Sequence, residues 1–213
     1  LEDPFLPPDE NIFAMTVSIE EAPDQPEIID IEFQNGFPVA ISNEYLSPVE
    51  LIKKANSLAG KHGIGRIDMM EDRVVGIKSR EIYETPGLLL LIKAHKELES
   101  LTLSPDVIDF KTLIDKKWAQ LVYQGFWFGP LKKALDGFIN STQISVNGKV
   151  RIKLFKGNAV VIGRSSSNNS LYREDLATYS LTDSFDHTSA EGFIYMWGMS
   201  NKIWAESNAN IED

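Results

Sequence analysis

Apolar residues recur every second position in the first part of the chain and every third or fourth position further on. Phe13, Met15, Val17 and Ile19 alternate with smaller or polar residues, which predicts a half-buried strand, broken by Pro23 and Pro26. Ile29, Ile31 and Phe33 alternate with acidic residues and lead into Asn35-Gly36. That dipeptide supplies the positive φ angles of a tight hairpin turn, so Phe37–Ile41 is expected to return antiparallel. Ser47-Pro48-Val49-Glu50 then reads as a helix start. The serine caps, the proline fits the first helical position, and the glutamate three residues on completes a capping box. Leu51, Ile52, Ala55, Leu58 and Ala59 form its apolar face, and Gly60 is its expected stop.

Three further helices are predicted. Thr85-Pro86 opens one that carries the apolar run 88–92, Leu98 and Leu101. Ser104-Pro105-Asp106 opens the next, with Val107, Phe110, Ile114, Trp118 and Leu121 at near-helical spacing. Gly125 and Gly129 interrupt it around Phe126-Trp127-Phe128, for which core packing is a simpler reading than a ligand platform. Pro130 opens the last, to about Ser141. Strands follow over 146–155 and 159–163, joined by a turn at Lys156-Gly157-Asn158, and the serine-rich 164–169 reads as an ordinary loop. The segment 189–206 is apolar and aromatic nearly all round if helical, which calls for burial, either against another subunit or in the chain's own core. Strands, then helices, then strands indicate an α+β fold of antiparallel hairpins packed with several helices, ending in a C-terminal helix.

The stretch 60–87 concentrates charged and hydrogen-bonding groups between short apolar runs. Gly60, Gly63 and Gly65 permit tight turns and close backbone approach. Two strand-like runs, 66–70 and 74–78, flank Glu71-Asp72-Arg73, which reads as the turn of a hairpin. Glu71 at that turn and Tyr83 beyond it are candidates to converge on a small polar ligand. The plainer alternative makes Glu71 a solvated turn residue and Tyr83 a core residue with its hydroxyl at the surface.

The chain has 213 residues, 43% hydrophobic and 24% charged, enough for one large domain or two small ones. A net charge of −10 argues against nucleic acid as a general partner and against adhesion to anionic membranes. The absence of cysteine removes disulfides, thiolate catalysis and zinc–thiolate sites, and suits a reducing, cytoplasmic setting. His62, His95 and His187 lie far apart and lack metal-ligand spacing, so no metal ligands are predicted. Neither a nucleophile-elbow nor a Walker-type motif occurs, and no catalytic residue stands out. Residues 1–10, rich in proline and acid, read as a linker, and a chain opening on Leu1 reads as a piece of a longer protein.

Several blocks resemble one family. Gly60-Lys61-His62-Gly63-Ile64-Gly65-Arg66-Ile67-Asp68, Glu71-Asp72-Arg73, Gly76-Ile77-Lys78-Ser79-Arg80 and Ile82-Tyr83-Glu84-Thr85-Pro86-Gly87 look like argininosuccinate synthase. So do Leu121-Val122-Tyr123, Gly125-Phe126-Trp127, the stretch 150–164, Ser170-Leu171-Tyr172, Gly192-Phe193-Ile194 and Leu1-Glu2-Asp3-Pro4. The resemblance implies a ligase that joins citrulline to aspartate. ATP adenylates the citrulline ureido oxygen with loss of pyrophosphate, and the aspartate amine then displaces AMP. Only the family's C-terminal synthetase part is resembled. The chain has no Gly-Gly dipeptide, so the family's pyrophosphate loop is not in it, and ATP with magnesium would be bound by an N-terminal domain rather than here. Glu71 and Tyr83 match two citrulline-binding positions of the family. Glu81 and Leu88 stand where smaller residues are usual. The resemblance further implies a synthetase domain over 11–190, a multimerisation helix and tail over 191–213, and a homotetramer. By itself the chain is expected to lack ATP-dependent activity. The alternative is a stand-alone, non-catalytic binding or oligomerisation module.

Overall fold

The computed structural model describes residues 3–177, 184 and 186–209 of the chain. Leu1, Glu2 and the last residues of the tail, 210–213, lie outside the described residues. The chain divides into two compact units, residues 1–171 and 172–213.

The first unit is built on a five-stranded antiparallel sheet with the order β3-β2-β1-β6-β7. Its strands are β1 (Glu27–Gln34), β2 (Phe37–Ile41), β3 (Glu44–Tyr45), β6 (Gly148–Phe155) and β7 (Asn158–Ser165). The Asn35-Gly36 turn forms as expected, with φ of 48° and 77°. Alternation decides the faces: Ile29, Ile31 and Phe33 point inward and meet Ile152 and Val150 across the β1–β6 ladder. Two helices cover that face, α1 (Pro48–Lys61) and α2 (Pro86–Thr102). Leu51, Ala55, Leu90, Ala94 and Leu98 complete the core. The capping box at Ser47 and Glu50 is present in both directions. Helix α1 runs one residue past Gly60, which lies buried in its last turn, and the chain reverses at Gly63 instead.

Helices α3 (Pro105–Tyr123) and α4 (Pro130–Gln143) pair beside α2. Phe110 meets Phe138 edge-on at 5.3 Å, and the Trp118 indole donates to Asp136 at 2.7 Å. A buried polar network ties all three helices. Gln143 donates to Glu99 at 2.8 Å, Lys111 pairs with Glu99 at 3.2 Å and Asp115 at 2.6 Å, and His95 shares a 2.7 Å hydrogen bond with Gln143. Burial pushes the Lys111 ammonium down, but the two carboxylates outweigh it and hold the group charged.

Three expectations need correction. Residues 13–19 form no strand. Their backbone amides at 14–16 turn onto a distant carboxylate instead of a neighbouring strand, and Met15 and Ile19 stay exposed. The second hairpin pairs β4 (Arg66–Asp72) with β5 (Lys78–Glu84), so Glu71 sits inside a strand opposite Ser79 rather than in a turn. The apolar residues read as its second strand, Val74, Val75 and Ile77, form the exposed tip (67%, 75% and 63%). Phe126, Trp127 and Phe128 are likewise exposed rather than packed.

The second unit holds α5 (Glu174–Ala177) and α6 (Thr188–Asn208). Phe193 stacks on Trp197 at 5.4 Å, yet none of the described α6 residues is buried.

Candidate functional site

The β4–β5 ribbon is a separate two-stranded sheet, and its pleat sorts the charged residues onto two faces. Arg66, Asp68, Arg80 and Glu84 share one face; Ile67, Met69, Glu71, Ser79, Glu81 and Tyr83 share the other. The root of the ribbon is held by close backbone approach. Gly65 has φ of 120°, and a β-carbon there would lie 2.3 Å from the Cα of Pro86, where α2 begins. Thr85 donates its amide to the Gly65 carbonyl at 2.8 Å across that root. Gly60 and Gly65 thus serve close backbone approach and Gly63 a turn, the uses expected of glycine here.

On the second face the structure brings the two candidates together. The Tyr83 hydroxyl donates to Glu71 Oε1 at 2.7 Å, reaching along the face past the Met69–Glu81 pair. Tyr83 is 39% exposed, with its hydroxyl turned to the carboxylate rather than into a core. The hydrogen bond to Glu71 pushes the phenol up to about 12, with burial and the negative charge of Glu71 adding to it. The phenol therefore stays protonated at neutral pH.

Around the pair lies an open cavity of about 540 Å³, lined by Glu71, Arg73, Val74, Val75, Glu81, Tyr83 and Tyr123. Tyr123 comes from the end of α3, and the two valines from the hairpin tip. Arg73 donates Nε to the Ser79 hydroxyl at 2.9 Å and a terminal nitrogen to Glu81 at 2.7 Å. That bond holds Glu81 below the usual glutamate range and raises Arg73. Glu81 is thus neutralised by Arg73. Among the described residues Glu71 has no cation within ion-pair distance and only the Tyr83 hydroxyl as hydrogen-bond partner. The cavity therefore offers the Glu71 carboxylate, outside ion-pair distance of any described cation, the Tyr83 and Tyr123 phenols, and an arginine already engaged by Glu81. This set suits an ammonium and hydrogen-bonding groups.

His62 lies fully buried with Nε2 3.3 Å from Glu27, and His95 is committed to Gln143. Among the described residues no three His, Asp or Glu side chains gather as metal ligands, and no helix is long and apolar enough to cross a membrane.

Sequence reasoning overlooked Glu84. Its carboxylate accepts the amides of Ala14 (2.6 Å), Met15 (2.9 Å) and Thr16 (2.8 Å) and the Thr16 hydroxyl (2.7 Å). The signal was a glutamate that ends a strand, but its partners lie about seventy residues away in the chain.

The fold and site define an α+β domain that presents a polar, acid-and-phenol-lined cavity on a two-stranded ribbon. Residues 1–204 match the family described as Arginosuccinate synthase C-terminal domain, and the chain belongs to that family. It is 77% identical over 209 residues to the argininosuccinate synthase of Prochlorococcus marinus subsp. pastoris, covering 98% of this chain and 52% of that protein. With the argininosuccinate synthase of Prochlorococcus marinus strain MIT 9515 it shares 74% over 213 residues, 100% of this chain and 53% of the relative. With that of strain NATL1A the identity is 64% over 208 residues, 98% of this chain and 52% of the relative. The chain thus spans about half the length of the curated relatives it matches.

Proposed function

We propose that the chain contributes part of the citrulline pocket and the oligomer interface of an ATP-dependent ligase that joins citrulline and aspartate into argininosuccinate. The overall reaction releases AMP and pyrophosphate. Family membership and the named relatives support the reaction class. The single observation that carries the site is the Glu71 carboxylate, without a cationic partner among the described residues and held at 2.7 Å by the Tyr83 hydroxyl on the cavity wall.

In this reading Glu71 receives the α-ammonium of citrulline through a charge-assisted hydrogen bond. Tyr83, protonated at working pH, orients the carboxylate and offers its oxygen as a second acceptor. The role is to bind and orient, and holding a reacting group in place lowers a barrier without any proton transfer by these residues. A triphosphate does not suit this cavity, because Glu71 would repel it and Arg73 is already paired with Glu81. ATP and magnesium accordingly belong to another part of the enzyme, and the chain alone is expected to be inactive. Aspartate and a cytoplasmic setting belong to the same proposal.

The test uses the full-length protein that carries this domain. Citrulline-dependent pyrophosphate release is measured with ATP and aspartate for wild type and Glu71→Ala. Robust release in wild type with a citrulline KM at least tenfold higher in the variant is expected. No release in wild type would sink the ligase, and an unchanged KM would move the pocket away from Glu71.

A further inference from the structure

Residues 3–16 lie as a strap across the face of the ribbon that the cavity does not use. Glu84 gathers the three successive amides of residues 14–16 with both carboxylate oxygens. Burial alone would raise the Glu84 carboxyl, but the Thr16 hydroxyl and the amides outweigh it and hold the group below the usual glutamate range. Arg66, directly across the ladder from Glu84, donates Nε to the Thr16 hydroxyl at 2.8 Å. Its other nitrogens reach Glu10 at 2.8 Å and the Thr16 carbonyl at 3.2 Å, and its guanidinium covers the Phe13 ring at 3.8 Å. Further out, Arg80 grips Asp68 with Nε and one terminal nitrogen. The other terminal nitrogen of Arg80 takes the carbonyls of Asp3 and Leu6 at 2.9 and 2.8 Å. Its side chain is only 8% exposed, so the strap shields it from water.

An isolated two-stranded ribbon is at best marginally stable. Here the strap supplies the layer that a third strand or a core would otherwise give. We propose that Glu84, with Arg66, is a positioning residue for the Glu71–Tyr83 pair, fixing the angle at which the ribbon leaves its root. The proposal rests on the reading of the cavity as the citrulline site.

Geometry makes the leverage concrete. Tyr83 and Glu84 share a peptide unit and point to opposite faces, so any shift of one carries the other. Glu71 lies five ladder positions beyond the Arg66–Glu84 pair, which is about 16 Å at roughly 3.3 Å per residue. A tilt of about 5° at the root would therefore move Glu71 by about 1.4 Å. Misplacement of about 1 Å at a reacting group can cost on the order of a hundredfold in rate. The root must hold to within a few degrees, and three amides and the Thr16 hydroxyl on the Glu84 carboxylate, with the Arg66 guanidinium in turn on Thr16, provide that stiffness.

The test compares wild type, Glu84→Gln, Tyr83→Phe and the double variant in the full-length protein, by citrulline-dependent pyrophosphate release. Glu84→Gln keeps the size but removes the charge and turns a donor toward backbone amides. The citrulline KM is expected to rise about tenfold, with the ATP KM within twofold of wild type. The penalty of Tyr83→Phe on citrulline KM should shrink at least threefold in the Glu84→Gln background, because a misplaced phenol has less to lose. An unchanged citrulline KM, or penalties that simply multiply, would overturn the proposal and leave Glu84 a structural residue. If Glu84→Gln does not fold, Arg66→Lys carries the same cycle. Should wild type show no citrulline-dependent release, the ligase reading fails separately. Amide hydrogen exchange then decides the mechanical claim: faster exchange in Glu84→Gln at both 14–16 and 66–84 upholds it, and faster exchange at 14–16 alone refutes it.

Discussion

Tyr83 and Glu71 hold each other, and the proton between them is the most readable feature of the site. The phenol is raised from 10.0 to about 12, so its neutral form is the one the fold favours. Its contribution to stability is complete below pH 10 and is lost as the pH climbs from 10 to about 12. Citrulline recognition should accordingly show no tyrosine titration between pH 7 and 10. In Glu71→Gln the phenol should fall back toward 10, followed by NMR of ring-labelled tyrosine. A value that stays near 12 would assign the shift to burial rather than to Glu71. Glu84 behaves in the opposite sense. Its lowered carboxyl stabilises the strap above the ordinary glutamate range, and that support disappears as acid takes the pH down through its folded value. Residue types alone marked Glu71 and Tyr83 as candidates. Their direct contact was not legible, because the turn was read at Glu71 itself, whereas Glu71 lies in β4 on the same face as Tyr83. Glu84 could not be found, since nothing local announces partners at Ala14, Met15 and Thr16.

Among the elements, those with one buried face were plain in the sequence, and those without were not. The β1–β2 hairpin and α1 carry alternation or helical spacing that burial enforces, and both formed where expected. Removing the α1 cap with Ser47→Ala should cost about 1 kcal/mol, read from urea unfolding, and a loss near zero would mean that packing alone sets the helix start. The β4–β5 ribbon has no buried face of the usual kind. Its strand ends were misread because the charged β5 is held by cross-strand and strap contacts, such as Arg80 to Asp68, while the apolar Val74 and Val75 serve the cavity rim. Its root depends on glycine. A side chain at Gly65 would collide with Pro86 and at Gly60 with the Met15 carbonyl, 2.3 and 2.1 Å from the ideal β-carbon. Gly65→Ala should both destabilise the domain and weaken citrulline binding, by thermal unfolding and KM respectively. Unaltered values for both would show that the root relaxes freely.

At the scale of the whole molecule, the exposed apolar element is α6. Phe193, Trp197 and Trp204 are exposed, Trp197 to 78%, on a helix with none of its described residues buried. Exposed apolar surface of this kind marks an interaction face. In the proposed enzyme it serves contacts between subunits, so the full-length protein is expected to be larger than a monomer by light scattering at micromolar concentration. Trp197→Glu is expected to shift it toward the monomer. A monomeric wild type would return these aromatics to the chain's own packing. The sequence indicated the apolar helix, but a single chain's pattern does not encode which surface covers it.

The most direct measurement is a crystal structure of the full-length protein with citrulline. The expected result places the citrulline α-ammonium about 3 Å from the Glu71 carboxylate, with the Tyr83 hydroxyl still bonded to it and the strap seated on Glu84. Citrulline bound with both Glu71 and Tyr83 beyond hydrogen-bond reach would contradict the assignment of this cavity.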